Sequence, residues 1–291
     1  MAADILKLIF VISVDDSFEY AAGVASVLER NGLKGTFFLD TGRVGRALSR
    51  ATVRRLADFH EVGSHSVTHS HMTMMPLCES LREMRESRRQ LEEVIGRNVK
   101  SFAFPYGEHS AKLRQLVVFA GYLCARGARE GHYALPGNVY DMNISLHVTP
   151  KKLRLLLQSA RFTTIFRNSG LDKTFFLLVL GAISVFTALP HFIKVSTGNA
   201  GVLHILLHAY DFCESSRLNL LDRFLDLLMD TLQPTNLTVP EVAQLVAADP
   251  RTKRCLWQSV VCSNSSDSQL IGPRIYEAHA QQRRTHHGCL V

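Results

Sequence analysis

Short apolar runs alternate with longer amphipathic segments along most of this chain, and this alternation limits the folds open to it. The run at residues 6–14 is rich in branched side chains and ends at two acids, which is typical of a strand buried in a parallel sheet. Further strands are predicted at residues 35–39, 61–64, 101–104, 122–126 and 201–207. Helices are predicted at residues 18–31, 52–59, 78–95, 110–120, 149–161, 218–232 and 239–247. Repeated strand–helix alternation predicts an α/β fold with a parallel sheet, open or closed into a barrel.

The length and composition fit one large domain followed by a tail. Of the 291 residues, 46% are apolar, which is enough to build a core. We predict a single domain over residues 1–250. Residues 251–291 are polar and basic, and we interpret them as a loosely ordered, solvated tail. The net charge of +7 favours acidic partners only weakly, and no nucleic-acid-binding signature is present, so no nucleic acid partner is predicted.

The six cysteines predict the compartment. No two of them form a Cys-x-x-Cys pair, and their spacing does not suggest a disulfide framework. The first residues lack a secretory cleavage site. We therefore expect a cytoplasmic protein with reduced thiols.

Residues 174–193 form a stretch without charged side chains that is long enough to span a membrane. Gly181, Ser184, Pro190 and His191 dilute its apolar character. We interpret the stretch as a buried helix with its connection, and membrane association or peripheral membrane contact remains the alternative.

Polar residues follow several of the predicted strands, at the strand ends where α/β folds place their active sites. Asp15 and Asp16 end the first strand. Two adjacent acids there are costly without a cation, and one can bind it while the other acts as a base. The alternative is that one acid caps the next helix.

A second group is the pair His65 and His69, four residues apart. On a helical turn this spacing places both imidazoles on one face, where they can hold one metal ion. Ordinary surface or core histidines are the alternative. His71 fits the same face poorly.

Two more elements complete the set. The turn Pro105-Tyr106-Gly107 presents a backbone N–H that could support an oxyanion, although it could also be an ordinary turn. His208 follows Leu206-Leu207 at the end of the late strand and could act as a general acid, or be a core histidine as we expect for His204.

In this order and spacing, the four elements resemble those of the polysaccharide deacetylase (NodB-homology) family, carbohydrate esterases with a deformed (β/α) barrel. The resemblance covers residues 6–212 and implies a general base at Asp15. It also implies a divalent metal ion, zinc or else cobalt or nickel, bound by Asp16, His65 and His69.

The same resemblance assigns the remaining roles. The N–H of Tyr106 would help hold the oxyanion, Leu206 and Pro105 would contact the substrate, and His208 would be the general acid. One departure is clear: the arginine often found two residues before Pro-Tyr-Gly in the family, which orients the base, is Ala103 here. For the acidic partner of that arginine, Asp141 is a candidate.

These expectations lead to a metal-dependent hydrolase that removes N-acetyl groups from amino sugars of a glycan or glycoconjugate. Three alternatives stay open. They are a hydrolase of a non-sugar linear or cyclic amide on the same fold, a metal-binding relative without catalysis, and a membrane-associated glycan-modifying protein.

Overall fold

The computed structural model describes residues 8–163 and 201–248 of the chain. Strands and helices alternate there as predicted. The strands are β1 (Ile9–Asp15), β2 (Thr36–Leu39), β3 (Glu61–Ser64), β4 (Ser101–Ala103), β5 (Cys124–Arg126), β6 (Leu146–His147), β7 (Val202–His208) and β8 (Thr235–Asn236). The helices are α1 (Ala21–Arg30), α2 (Arg50–Phe59), α3 (Leu77–Ile95), α4 (Ala111–Phe119), α5 (Pro150–Thr163), α6 (Ser215–Leu232) and α7 (Val239–Ala248).

A curved parallel sheet organises the described residues. Its strand order is β5-β4-β3-β2-β1-β7-β6, with β8 paired to the start of β1. The segment at residues 139–145, which leads into β6, also joins the two ends of this order through backbone hydrogen bonds. The N–H of Ala125 on β5 donates to the Val139 carbonyl at 2.9 Å, and the N–H of Ser145 donates to the His204 carbonyl on β7 at 2.8 Å. The predicted α/β fold of the deformed-barrel type is therefore confirmed.

Strand β1 lies at the centre of the sheet and is buried along its whole length. Successive side chains of a strand point to opposite faces. Phe10 and Ile12 pack in the outer core, which lies between the sheet and the helices. Val11 packs in a smaller inner core with Phe38 and Ala103. By the same alternation Asp15, four residues after Val11, lies on the inner face.

Helix ends follow the local sequence signals. Gly96 ends α3 with a φ of 71°, the left-handed conformation that glycine adopts without strain. Thr149 precedes α5, and its hydroxyl accepts the N–H of Lys152 at 3.3 Å. Strands β6 and β8 have two residues each, too short to give a sequence pattern, and they were not predicted.

Two sequence predictions concern residues outside the described ranges. They are the apolar stretch at residues 174–193 and the tail at residues 251–291, and both stay predictions. Among residues 8–163 and 201–248, no helix combines the length and the apolar character that crossing a membrane requires.

Candidate functional site

The carboxyl ends of the parallel strands bring the predicted residues to one edge of the sheet. Strand pairing places Asp15 beside Phe38 on β2 and beside His208 on β7. His65 directly follows β3. The predicted convergence of these strand ends is confirmed.

Asp16, His65 and His69 form a group able to hold a metal ion. Each offers one ligand atom, and these atoms all lie within 4.8 Å of one another. The Nε2 atoms of the two histidines are 3.1 Å apart, and Nε2 of His69 is 3.6 Å from Oδ1 of Asp16. Two imidazoles and one carboxylate leave coordination positions open, as a catalytic centre requires.

The protonation state of His65 suits it for coordination. Its Nδ1 donates to the Ala103 carbonyl at 2.8 Å, so the lone pair of the ring lies on Nε2. Burial holds the pKa of His65 at about 4, which keeps the ring neutral at physiological pH.

The negative charge of Asp16 lacks a close positive partner. Burial, with the neighbouring charge of Asp15 adding to it, raises the pKa of the Asp16 carboxyl. Arg43 approaches Asp16 only at 3.5 Å and is also 3.4 Å from Asp40. A divalent cation between Asp16 and the imidazoles would supply the missing positive charge, so the residues present fit such an ion.

The backbone around the group departs from the helical turn predicted for residues 65–69. The segment is a loop, with φ of 67° at Ser66 and 55° at His69, and Asp16 has a φ of 74°. Left-handed backbone at a non-glycine residue costs on the order of 1–3 kcal/mol. The prediction of a helical turn was wrong because the loop, rather than helical periodicity, brings the two imidazoles together.

Side chains outside the group hold this loop in place. One oxygen of Glu83 on α3 accepts the N–H groups of Val67 and Thr68, each at 2.9 Å. The Ser66 hydroxyl accepts the N–H of His69 at 3.0 Å. These bonds offset part of the backbone strain and fix the direction of the His69 ring.

The loop after β1 is also braced. The N–H of Ser17 donates to Oδ1 of Asp40 at 2.8 Å, and its hydroxyl donates to the Asp40 carbonyl at 2.9 Å. Helix α1 begins only at Ala21, with Tyr20 preceding it. The alternative that Asp15 or Asp16 caps this helix is therefore excluded.

An arginine that the sequence analysis missed holds Asp15. Arg126 is fully buried on β5, and its guanidinium forms a short ion pair with Oδ1 of Asp15. Its Nη1 donates to the Gly127 carbonyl at 3.0 Å, and the guanidinium carbon lies 4.7 Å from the centre of the Phe38 ring. Burial would raise the pKa of Asp15, but Arg126 and the nearby histidines bring it below its ordinary value, so the carboxylate stays ionised.

Strand register explains why Ala103 does not leave the site without an arginine. Ala103 on β4 pairs directly with Arg126 on β5, and both side chains face the barrel interior. The small alanine leaves room for the guanidinium of the next strand. The one available sequence signal was a basic residue at the end of the predicted strand at residues 122–126.

The candidate acidic partner Asp141 lies elsewhere. It is 3.2 Å from Nε2 of His109, and it pairs with Arg114 at 3.4 Å. Asp141 therefore lies with His109 and Arg114, whereas the arginine that holds Asp15 is Arg126 on β5. The suggestion that Asp141 supports the arginine of the site was wrong.

The Pro-Tyr-Gly element is a single 3₁₀ turn with Tyr106 at a φ of 58°. Pro105 is buried, whereas the Tyr106 side chain is 53% exposed. The Tyr106 ring stacks on His71, with centroids 3.7 Å apart, and meets the edge of His69 at 4.7 Å. His71 also pairs with Glu108 at 3.0 Å, so it is not part of the metal-binding group.

His208 ends β7, on the same face of the strand as Leu206 and His204. Its Nδ1 shares a hydrogen bond of 2.9 Å with Nε2 of His147, a residue that the sequence analysis did not single out. Leu206 is buried, and Nε2 of His204 lies 2.7 Å from the Ser13 hydroxyl deeper in the barrel. The expectation that His204 is a core residue is confirmed.

Comparison with known proteins gives one family for the first part of the chain. Residues 7–125 match the model of the polysaccharide deacetylase family. Over 119 residues, 40% of this chain, the sequence is 29% identical to a peptidoglycan-N-acetylglucosamine deacetylase from Bacillus cereus, and the match covers 43% of that protein. The chain spans less than half the length of the curated relatives it matches.

Solved structures share the fold. A family 4 acetyl xylan esterase from Clostridium thermocellum, in complex with a cobalt ion, is 19% identical with a TM-score of 0.51, covering 83% of this chain and 93% of that one. A CE4 family pseudoenzyme from Bacillus anthracis is 16% identical with a TM-score of 0.52, covering 81% of this chain and 66% of that one. At these identities the likeness establishes the fold alone.

Proposed function

We propose that this chain is a metal-dependent hydrolase that removes N-acetyl groups from amino sugars of a glycan or glycoconjugate. The match of residues 7–125 to the model of the polysaccharide deacetylase family supports this proposal. The observation that carries the proposal is the environment of Asp15. This ionised carboxylate is held by Arg126 and lies beside, but outside, the group formed by Asp16, His65 and His69. A base next to a metal-binding group is the arrangement that metal-assisted hydrolysis needs.

The metal-binding group would hold the ion through Asp16, His65 and His69. A divalent ion there supplies Lewis-acid chemistry, which polarises a carbonyl and favours deprotonation of water near neutral pH. Two imidazoles and one carboxylate suit zinc, and also cobalt or nickel. The cobalt ion in the Clostridium thermocellum relative supports a transition metal.

Asp15 would remove the proton from the attacking water. Oδ1 of Asp15 is taken by Arg126, and Oδ2 lies 3.8 Å from Nε2 of His65, so Oδ2 faces the metal-binding group. Arg126 fixes the direction of the carboxylate and keeps it ionised over the physiological range.

The other predicted residues would handle the acetyl group and the leaving amine. The backbone N–H of Tyr106, in a turn beside His69, would donate to the oxyanion. Pro105 and Leu206 would line the space for the acetyl methyl group. His208 would protonate the departing amine through Nε2, because Nδ1 is engaged by His147.

Acetate release from a substrate panel tests the proposal. The full chain, loaded with zinc, is incubated with chitin oligosaccharides, peptidoglycan fragments and small cyclic amides. We expect acetate from at least one N-acetylated glycan and loss of that activity after chelation. Turnover of cyclic amides alone would favour the non-sugar amide hydrolase instead. Zinc binding without any turnover would favour a non-catalytic relative like the Bacillus anthracis pseudoenzyme.

A further inference from the structure

A second group of potential metal ligands lies beside the proposed general acid. His147 on β6, His208 at the end of β7 and Asp211 in the turn Ala209–Phe212 offer ligand atoms that all lie within 4.8 Å of one another. Nε2 of His147 and Nδ1 of His208 are 2.9 Å apart, with the two rings nearly perpendicular at 81°. None of these atoms belongs to the group formed by Asp16, His65 and His69.

The donors and their spacing suit a divalent transition metal. Two imidazole nitrogens with one carboxylate oxygen form a ligand set that zinc, cobalt and nickel accept. An ion about 2.0–2.1 Å from both nitrogens in tetrahedral geometry would separate them by roughly 3.3 Å. A shift of a few tenths of an ångström therefore converts the observed contact of His147 with His208 into a coordination site.

Exposure and charge indicate a weaker site than the one at Asp16. All three side chains are partly exposed, so an ion can enter from solvent and leave again. Lys151, Arg154 and Arg217 line a cavity together with Asp211, and their positive charges reduce the affinity for a cation.

We propose that His147, His208 and Asp211 form a second divalent-cation site, of lower affinity than the first, whose occupation inhibits the enzyme. This inference rests on the proposed function for its inhibitory effect but not for the binding of the ion. A metal ion on Nδ1 of His208 leaves an N–H at Nε2 that is a much weaker acid than an imidazolium. The departing amine would then lack its proton donor, so activity should rise with the first equivalent of zinc and fall with excess.

Metal stoichiometry tests the site without any substrate. The metal-free full chain is titrated with Co²⁺ and followed by calorimetry and by the visible absorption of the bound ion. We expect His147→Gln to bind one equivalent fewer than the wild type, and Asp16→Asn also to bind one fewer. The control His132→Gln removes an exposed histidine that belongs to neither group of ligands, and it should bind the same number of Co²⁺ ions as the wild type. Wild-type stoichiometry in a folded His147→Gln protein would overturn the proposal.

Inhibition by excess zinc provides a second measurement. In Asp211→Asn we expect the zinc concentration for half-inhibition to rise at least tenfold, with the inhibition measured relative to the acetate release of the same variant at one equivalent of zinc. Asp226→Asn removes an exposed carboxylate from α6 and should leave the inhibition unchanged. Equal half-inhibition in Asp211→Asn and the wild type would overturn the assignment of Asp211. Absence of acetate release at every zinc concentration, with the loss of one equivalent in His147→Gln intact, would refute the proposed function and leave the second site standing.

Discussion

Two buried charges of opposite sign meet at Asp15 and Arg126, and removing either one leaves the other without a partner. Arg126 is fully buried, and the side chain of Asp15 is almost so. An unpaired charge in such surroundings costs far more than the pair itself contributes to stability. A substitution at Asp15 therefore changes folding and catalysis together, and the two effects have to be measured separately.

We expect Asp15→Asn to lower both activity and stability. Loss of a general base reduces acetate release by about 100- to 10,000-fold. Loss of the partner of Arg126 lowers the free energy of unfolding by about 3–5 kcal/mol. Urea unfolding and the acetate assay on the same preparation would measure the two effects, and metal binding should persist.

The double variant Asp15→Asn/Arg126→Met separates stability from catalysis. It removes both charges, so it should recover most of the lost unfolding free energy and remain inactive. The exposed Asp58 on α2 offers a matched control, because Asp58→Asn should change neither quantity. Wild-type acetate release by Asp15→Asn would contradict the assignment of the base.

His204 predicts how stability depends on pH. Burial, with Arg126 adding to it, lowers the pKa of His204 to about 3, whereas the unfolded chain titrates it near 6.5. Between these values the unfolded state binds a proton that the folded state does not. Stability therefore falls as the pH falls, by about 1.4 kcal/mol per pH unit from this residue.

The variant His204→Gln removes this titration. From pH 6.5 to pH 5, its unfolding free energy should fall by about 2 kcal/mol less than that of the wild type. Denaturant unfolding at several pH values measures the difference. Equal slopes in the two proteins would show that His204 is protonated in the folded state.

At the scale of strands and loops, register and backbone conformation determine what the residues can do. The sequence pattern predicted most strands and helices, because apolar periodicity records burial directly. It did not predict the contact between Arg126 and Asp15, because the apolar periodicity of β4 and of β5 does not indicate which residues of the two strands pair. It also misjudged the loop at residues 65–69, where Ser66 and His69 adopt left-handed backbone that their residue types do not signal.

The register between β4 and β5 predicts that the guanidinium can move from one strand to the other. Arg126→Ala should reduce acetate release strongly, because the carboxylate of Asp15 loses its support. Adding Ala103→Arg to that variant places an arginine on the paired position. Acetate release should then be at least tenfold higher than in Arg126→Ala. Kinetics with the best substrate of the panel measures both steps.

Ala103→Arg alone serves as the comparison. With Arg126 present, two guanidinium groups would compete for one carboxylate in a packed interior, so this variant should be less stable than the wild type. A folded double variant with no more activity than Arg126→Ala would show that the position of the arginine, not only its charge, is essential.

At the scale of the whole molecule, the site exists only when distant parts of the chain are folded together. Asp16 follows β1, the histidines follow β3, and His208 ends β7. An ion bound by such a group stabilises the folded state alone, because the unfolded chain does not bring its ligands together. Parallel strand order made this convergence predictable from the sequence, whereas His147 and the two-residue strand β6 left no pattern to detect.

Metal removal should therefore destabilise the protein. With free zinc 1,000-fold above the dissociation constant, the ion adds about 4 kcal/mol to the unfolding free energy. Chelation should remove this increment in the wild type and lower its melting temperature. His65→Ala and Asp16→Ala should lose the first equivalent of zinc and activity together, and zinc should raise their melting temperature less than that of the wild type. A zinc-dependent increase of wild-type size in these variants would place the ion elsewhere.

The position of Arg126 matters for how chains of this kind are sorted into active and inactive. A classification that requires an arginine two residues before Pro-Tyr-Gly would assign this sequence to the inactive group, because that position is Ala103. Inspection of the neighbouring strand recovers the same chemical group pointing at the same carboxylate. The support of the base is therefore better judged from where the guanidinium lies in the folded barrel than from the sequence position of the arginine.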